Sequence, residues 1–294
     1  MASLQEGSFL SALDVQASTA YGDFGGGGAV AAAADDKTNA EYYLDHAAHQ
    51  NAHGVLCLRR GECGVAYHTF VAALSTLSKL RRQLRAELAQ PQPPNQSSYE
   101  RRNSNATTNC RSIPIPYLYD NAFYIYSSAL VFSRRPSLGD DGSNTAQDHG
   151  ANLFSRRMSQ IDTVIFCEAI AQFNLGLVYH WRGKHCGEDR TLVAAQELYA
   201  QSFDTLQSIV MQAARTSHDV RVLKMAITNN RIHILGEMAR YSDAQDLVSE
   251  FLVQSVETLS NNDSRSMSYL TRTDIDNFLL NALVIRRFNT SPCA

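Results

Sequence analysis

The sequence predicts an all-α protein of stacked antiparallel helix pairs, led by an unstructured head and interrupted once in mid-chain. Three observations carry this. Apolar residues recur at helical spacing through 39–89 and again from Ile161 onward. Within those stretches a small residue and a large apolar one recur at matching places around a turn, three times over. The tracts between them are rich in Pro, Ser, Asn and Gly, a composition that ends helices.

Residues 1–38 are Gly-, Ala- and Ser-rich, with Gly25-Gly26-Gly27-Gly28 and an alanine run ending at Ala34. So little apolar area cannot offset the entropy of ordering, which predicts a disordered head. Thr38-Asn39 then supplies a helix N-cap, and 39–89 reads as the first helix pair. Residues 90–160 form the excursion. Its polar tracts, 90–112 and 134–158, read as loops, and they flank PIPYLYDNAFYIYSSALVFS. The density of Tyr, Ile, Val and Phe over 113–133 favours an extended segment with short β-strands, against a short helix from Asn121. Such an apolar island must lie against the helical body. Residues 161–288 hold the remaining pairs, with boundaries near Gly183–Arg190, Arg215–Asp219, Ala239–Tyr241 and Asn261–Ser268. An amphipathic closing helix over 275–284 caps the array.

The repeat is legible residue by residue. In the first unit Gly54, Gly61, Ala66, Phe70 and Ala73 recur in order. In the second, Gly176 and Tyr179 precede a turn at Gly183, and Ala195 and Tyr199 follow after an insertion, KHCGEDR. In the third, Ala244 and Val248 follow the turn Tyr241-Ser242-Asp243, but Ile232 stands where a small residue is expected. Small residues opposite large ones on one helix face set a close crossing. No single pair buries its own face, so the units must stack.

These segments resemble the tetratricopeptide repeat (TPR), in an interrupted arrangement. The resemblance implies a TPR-like α-α superhelix in which Gly54, Ala66, Phe70, Gly176, Tyr179, Ala195, Tyr199 and Ala244 pack the repeats. It also implies a concave surface lined by the first helix of each pair, exposing some of Phe173, Leu177, His180 and Trp181, with Asn174, Asn229, Asn230 and His233 nearby. Asparagine can bond an extended backbone through both donor and acceptor, and Trp181 offers the largest aromatic contact. The expected partner is a protein or peptide of unknown identity. A clamp for a chaperone's C-terminal carboxylate is not expected, because the matching positions hold Asn51, Val55, Ala226 and Asn230.

The other chemistry is sparse. Net charge is −3, which gives no reason to expect nucleic acid or a membrane surface. Arg far outnumbers the four Lys (Lys37, Lys79, Lys184, Lys224), which tilts the surface toward planar ion pairing. The N-terminus lacks the features of a leader, and no apolar run suggests a membrane span. Six scattered cysteines without a CxxC pair read as reduced thiols, so cytoplasm or nucleus is expected. His46, His49, His53 and Cys57 share one helix face, but four ligands along one straight helix cannot surround one ion. His180, His185 and Cys186 flank a turn and read as structural. No metal or cofactor is therefore expected, and no catalytic motif marks an enzyme. Arg-Arg-x-Ser recurs before Ser104, Ser137 and Ser159. Phosphorylation there would place negative charge beside Arg pairs and dock or release the loops. The expected function is thus a protein–protein interaction scaffold. The alternative is a phosphorylation-responsive regulator whose 90–160 loops gate its surface.

Overall fold

The structure, a computed structural model, describes residues 36–89, 108–115, 124–134, 160–212, 218–260 and 272–290. Two compact units divide the chain, Met1–Tyr42 and Tyr43–Ala294. Of the first, only the opening of a helix is described. The described chain is mostly helical: α1 (Asp36–Arg59), α2 (Cys63–Ala89), α3 (Gln160–Cys186), α4 (Asp189–Gln212), α5 (His218–Glu237), α6 (Tyr241–Ser260) and α7 (Arg272–Thr290). Between α2 and α3 lie two strands, β1 (Thr108–Pro114) and β2 (Ser128–Arg134), paired antiparallel. Thr38-Asn39 falls inside α1, so the helix begins earlier than its expected cap.

The turns within three helix pairs share one chemistry. Gly61 (φ 79°), Gly187 (φ 65°) and Ala239 (φ 55°) each take a left-handed conformation between paired helices. After two of them an N–H reaches back to close the helix, Glu62 to Cys57 O at 2.9 Å and Arg240 to Leu235 O at 2.8 Å. This closure satisfies carbonyls that a helix end leaves orphaned. The turn of the second pair is therefore at Gly187, not at Gly183 as the sequence suggests. Most of KHCGEDR lengthens α3 and α4 instead, and Gly183 is an interior helical residue pressed against Leu192, where an added Cβ would come within 2.5 Å.

Close approach within pairs follows the small-to-large pattern. A Cβ on Gly54 would lie 2.7 Å from the Phe70 ring, and one on Gly176 would lie 2.6 Å from the Tyr199 ring. The bonds Thr76 to Gln50, Ser202 to Ala169 O and Thr205 to Gln172 continue the same antiparallel registers. Helices α1, α3, α5 and α7 make an inner layer, joined side by side by Asn174–Asn51, His180–His233 and Asn281–Asn229 bonds. Helices α2, α4 and α6 pack outside them. The Arg81–Glu168 ion pair, 2.8 Å, ties α2 to α3.

Helix α3 is central, with apolar residues buried all round it. By length and composition it could cross a membrane, contrary to the sequence reading, yet most of its apolar window is covered by neighbouring protein. A helix packed on every side needs no polar face. It touches α2, α4, α5 and β2.

Candidate functional site: an asparagine ladder on an extended segment

Residues 124–134 run extended across the inner layer, and five asparagines hold their backbone. Asn174 of α3 accepts the Leu130 N–H on Oδ1 (2.9 Å) and donates from Nδ2 to the Leu130 carbonyl (2.7 Å). Asn51 of α1 donates to that same carbonyl at 2.8 Å and accepts from Asn174 Nδ2 at 2.9 Å. Asn230 of α5 accepts the Tyr126 N–H (2.9 Å) and donates to its carbonyl (3.1 Å). Asn281 of α7 treats Tyr124 likewise, at 2.8 and 2.5 Å. Asn229 adds a bond to the Tyr124 carbonyl at 3.1 Å and accepts from Asn281 at 2.8 Å. All five side chains lie in buried positions, and each amide hydrogen of Asn174 has an acceptor.

Strand geometry explains why these positions are taken. The N–H and C=O of one residue point to the same edge of a strand, and successive residues alternate between edges. The Ile115 N–H donates to Ser127 O at 3.0 Å, so the odd-numbered edge faces β1. The register Ile113↔Ala129 and Arg111↔Val131 continues that edge. The even-numbered edge then meets the asparagines, at 124, 126 and 130. Side-chain amides stand where a third strand would lie. They satisfy groups whose burial unpaired costs about 1–3 kcal/mol each.

Both faces of the segment are also covered. Ile125, Tyr126, Ala129, Leu130, Val131 and Phe132 are all buried. A strand buried on two faces reads as a continuous apolar run rather than an alternating one, which is why YIYSSALVF shows no clear period. The Tyr126 ring packs 6.2 Å from Phe173 and 5.8 Å from Phe278, and burial raises its hydroxyl pKa well above the ordinary tyrosine value. The Tyr124 ring lies 5.8 Å from Phe278, and its hydroxyl donates to the Asp274 carboxylate.

From Asn230 a bonded path runs deeper. Asn230 Nδ2 donates to the Tyr199 hydroxyl at 3.3 Å, which meets His180 Nδ1 at 3.3 Å. His180 Nε2 and His233 Nδ1 are 3.1 Å apart. His233 Nε2 lies 3.8 Å from Glu237, which Lys184 pairs at 2.8 Å. Tyr199, His180, His233 and Asn230 are all fully buried, and burial raises the Tyr199 hydroxyl pKa.

The surface expected from the sequence is therefore filled. Phe173, Asn174, Leu177, His180, Asn229, Asn230 and His233 do share the inner layer, but all are buried rather than open. Trp181 is half-buried and stacks on His185, ring centroids 4.4 Å apart, so it packs against the insertion. In the sequence Asn51 stands out only as the place of a missing clamp cation, and Asn281 only as one residue of the closing helix. Their signal is an asparagine on the buried stripe of a helix whose other face is polar, where an unpaired amide is costly.

The packing residues sit as follows. Gly54, Ala66, Phe70, Gly176, Ala195, Tyr199 and Ala244 are buried. Tyr179 is only partly buried and packs edge-on to Tyr67 of α2, 5.9 Å away; burial pushes its hydroxyl up to about 12. His46, His49 and His53 are exposed while Cys57 is buried, with His53 Nε2 3.8 Å from its Sγ. Among the described residues no three His, Cys, Asp or Glu side chains gather as metal ligands. Ser104, Ser137 and Ser159 lie outside the described residues. No protein-family model, curated protein or solved structure matches the chain.

Proposed function

We propose that the chain is a protein–protein interaction scaffold built on TPR-like helix pairs, without catalytic activity, whose inner layer is a groove for extended peptide. The observation that carries this reading is the ladder. Asn174, Asn230 and Asn281 each engage both the N–H and the C=O of one residue in an extended segment. The repeated Gly54–Phe70 and Gly176–Tyr199 contacts support the TPR-like architecture.

The test replaces residues 106–136 with a Gly/Ser linker of equal length and titrates the labelled peptide 106–136 back. One-to-one binding that weakens on Asn174→Ala supports the groove. A helical, folded protein that ignores the peptide contradicts it.

A second reading is favoured by the coverage itself: residues 124–134, part of the 90–160 excursion, lie against the inner-layer asparagines. It makes the chain a regulator opened by phosphorylation. Strand β2 ends at Arg134, the first residue of Arg134-Arg135-Pro136-Ser137. Ser137→Asp should then increase protease access to 124–134, and unchanged protection contradicts gating at Ser137.

A further inference from the structure

We infer that residues 124–134 are a tethered stand-in for a ligand supplied by another protein: an extended segment of the pattern aromatic–x–aromatic–x–x–x–Leu. This rests on the groove reading above and names what the groove selects.

Two kinds of contact divide the labour. The asparagines' hydrogen bonds to the segment are all to its backbone, so they accept any residue with an N–H at the clamped places. Proline, which lacks that hydrogen, is excluded at the positions of Tyr124, Tyr126 and Leu130. Selectivity then falls to side chains. The Tyr126 ring packs against both Phe173 and Phe278, and Leu130 is fully buried. At Tyr124 an aromatic ring meets Phe278 and a hydroxyl meets Asp274, a pairing that favours tyrosine over phenylalanine.

The frame that holds the segment has bonds of its own. Asn174–Asn51 joins α3 to α1, and Asn281–Asn229 joins α7 to α5. His180–His233 and Lys184–Glu237 join α3 to α5. None passes through the segment. Strands β1 and β2 pair with each other along one edge, so the hairpin keeps that pairing if it leaves as one body. Its covalent links to the helices are residues 90–107 and 135–159, so the chain can be cut on both sides of it without altering a clamping asparagine.

Tethering sets the competition. A segment linked in this way acts at an effective concentration on the order of millimolar. A free peptide making the same contacts at about 10 μM is then outcompeted roughly 100-fold. The intact chain should therefore look inert toward its own ligand.

The experiment places specific protease sites between residues 96 and 97 and between 145 and 146 of the full chain. Labelled peptide 106–136 is added before and after cleavage, and its anisotropy is followed. The expected result is at least ~100-fold stronger uptake after cleavage. Peptides carrying Tyr126→Ala or Leu130→Pro should lose at least tenfold in competition. If the cut fragment never exchanges below the unfolding transition, the segment is permanent core and the groove reading falls with the inference. If the peptide enters but Tyr126→Ala enters equally well, the groove survives and the proposed selectivity is wrong. If the uncut chain forms dimers in which the labelled segment of one copy crosslinks to Asn174→Cys of the other, the ligand is a second copy, and the inference of a separate partner is overturned.

Discussion

Asn174 and Asn281 hold the two ends of one extended segment in the same way. Each closes a bidentate pair on a single residue, Leu130 or Tyr124, and each donates to an asparagine on the preceding inner helix, Asn51 or Asn229. That preceding asparagine supplies a second donor to the same carbonyl. The clamping unit is thus an asparagine pair across a helix–helix contact, used twice.

A graded loss of stability follows from that wiring. Asn174→Ala strips the Leu130 N–H of its acceptor, whereas Asn51→Ala leaves Leu130 with Asn174. We expect about 3 kcal/mol for the first and about 1 kcal/mol for the second, given the cost of an unpaired buried donor. Urea unfolding of both variants measures this. Equal losses would show that the pair does not divide its work as described.

Gly176→Ala should be severely destabilising. The new methyl would meet the Tyr199 ring at 2.6 Å, and that ring is held by Asn230 and His180 at its hydroxyl. Overpacking of this kind costs about 1–3 kcal/mol. Gly64→Ala, with nothing within 4 Å, should instead gain up to about 1 kcal/mol of helix propensity. Thermal unfolding of the two compares them directly, and Gly176→Ala with Tyr199→Leu should recover part of the loss.

Ala239 repeats the turn role of Gly61 and Gly187 with a side chain in the left-handed region. Replacing it by glycine relieves about 1 kcal/mol of strain, partly offset by the freer unfolded chain. A small rise in Tm is the expected result. A fall would mean that the Ala239 methyl contributes packing that outweighs its strain.

Alkaline pH should weaken the fold. Burial pushes the Cys63 thiol from 9.0 up to about 11, and Tyr179 from 10.0 up to about 12. Raised values mean that the folded state favours the neutral forms. That contribution is complete below pH 9 and is lost as pH climbs, through 9–11 for Cys63 and 10–12 for Tyr179. Denaturant midpoints should be flat with respect to these groups near neutrality and fall above pH 9. Alkylation at pH 8, mapped by mass spectrometry, should mark exposed Cys186 well before Cys63 or Cys167. Comparable labelling of Cys167 would contradict its burial.

Much of the frame was legible in the sequence because packing leaves a local trace. Gly54 with Phe70 and Gly176 with Tyr199 are spaced as the antiparallel pairs require, and the structure brings each together. Asn174, Asn229, Asn230, His180 and His233 were grouped on the inner helices by the resemblance to the tetratricopeptide repeat, which supplied the order in which helices stack. The occupant was not legible. Register between residues 124–134 and the inner helices is set by contacts as far apart in sequence as Tyr124 and Asn281, and no periodicity records them. Gly183 misled for a related reason. A glycine that permits close approach and a glycine that ends a helix look alike until the neighbouring Leu192 is seen.

The order of synthesis sets a delay for the ladder. Asn51 emerges before the segment it holds, but Asn174, Asn229, Asn230 and Asn281 all emerge after it. At roughly 5–20 residues per second, the run YIYSSALVF waits on the order of 10–30 s for its last clamp to be translated. For that interval an apolar strand stands outside the ribosome with its even edge unpaired, the condition in which nascent chains recruit chaperones or aggregate. The hairpin partner β1, made just before it, covers only one of its two edges.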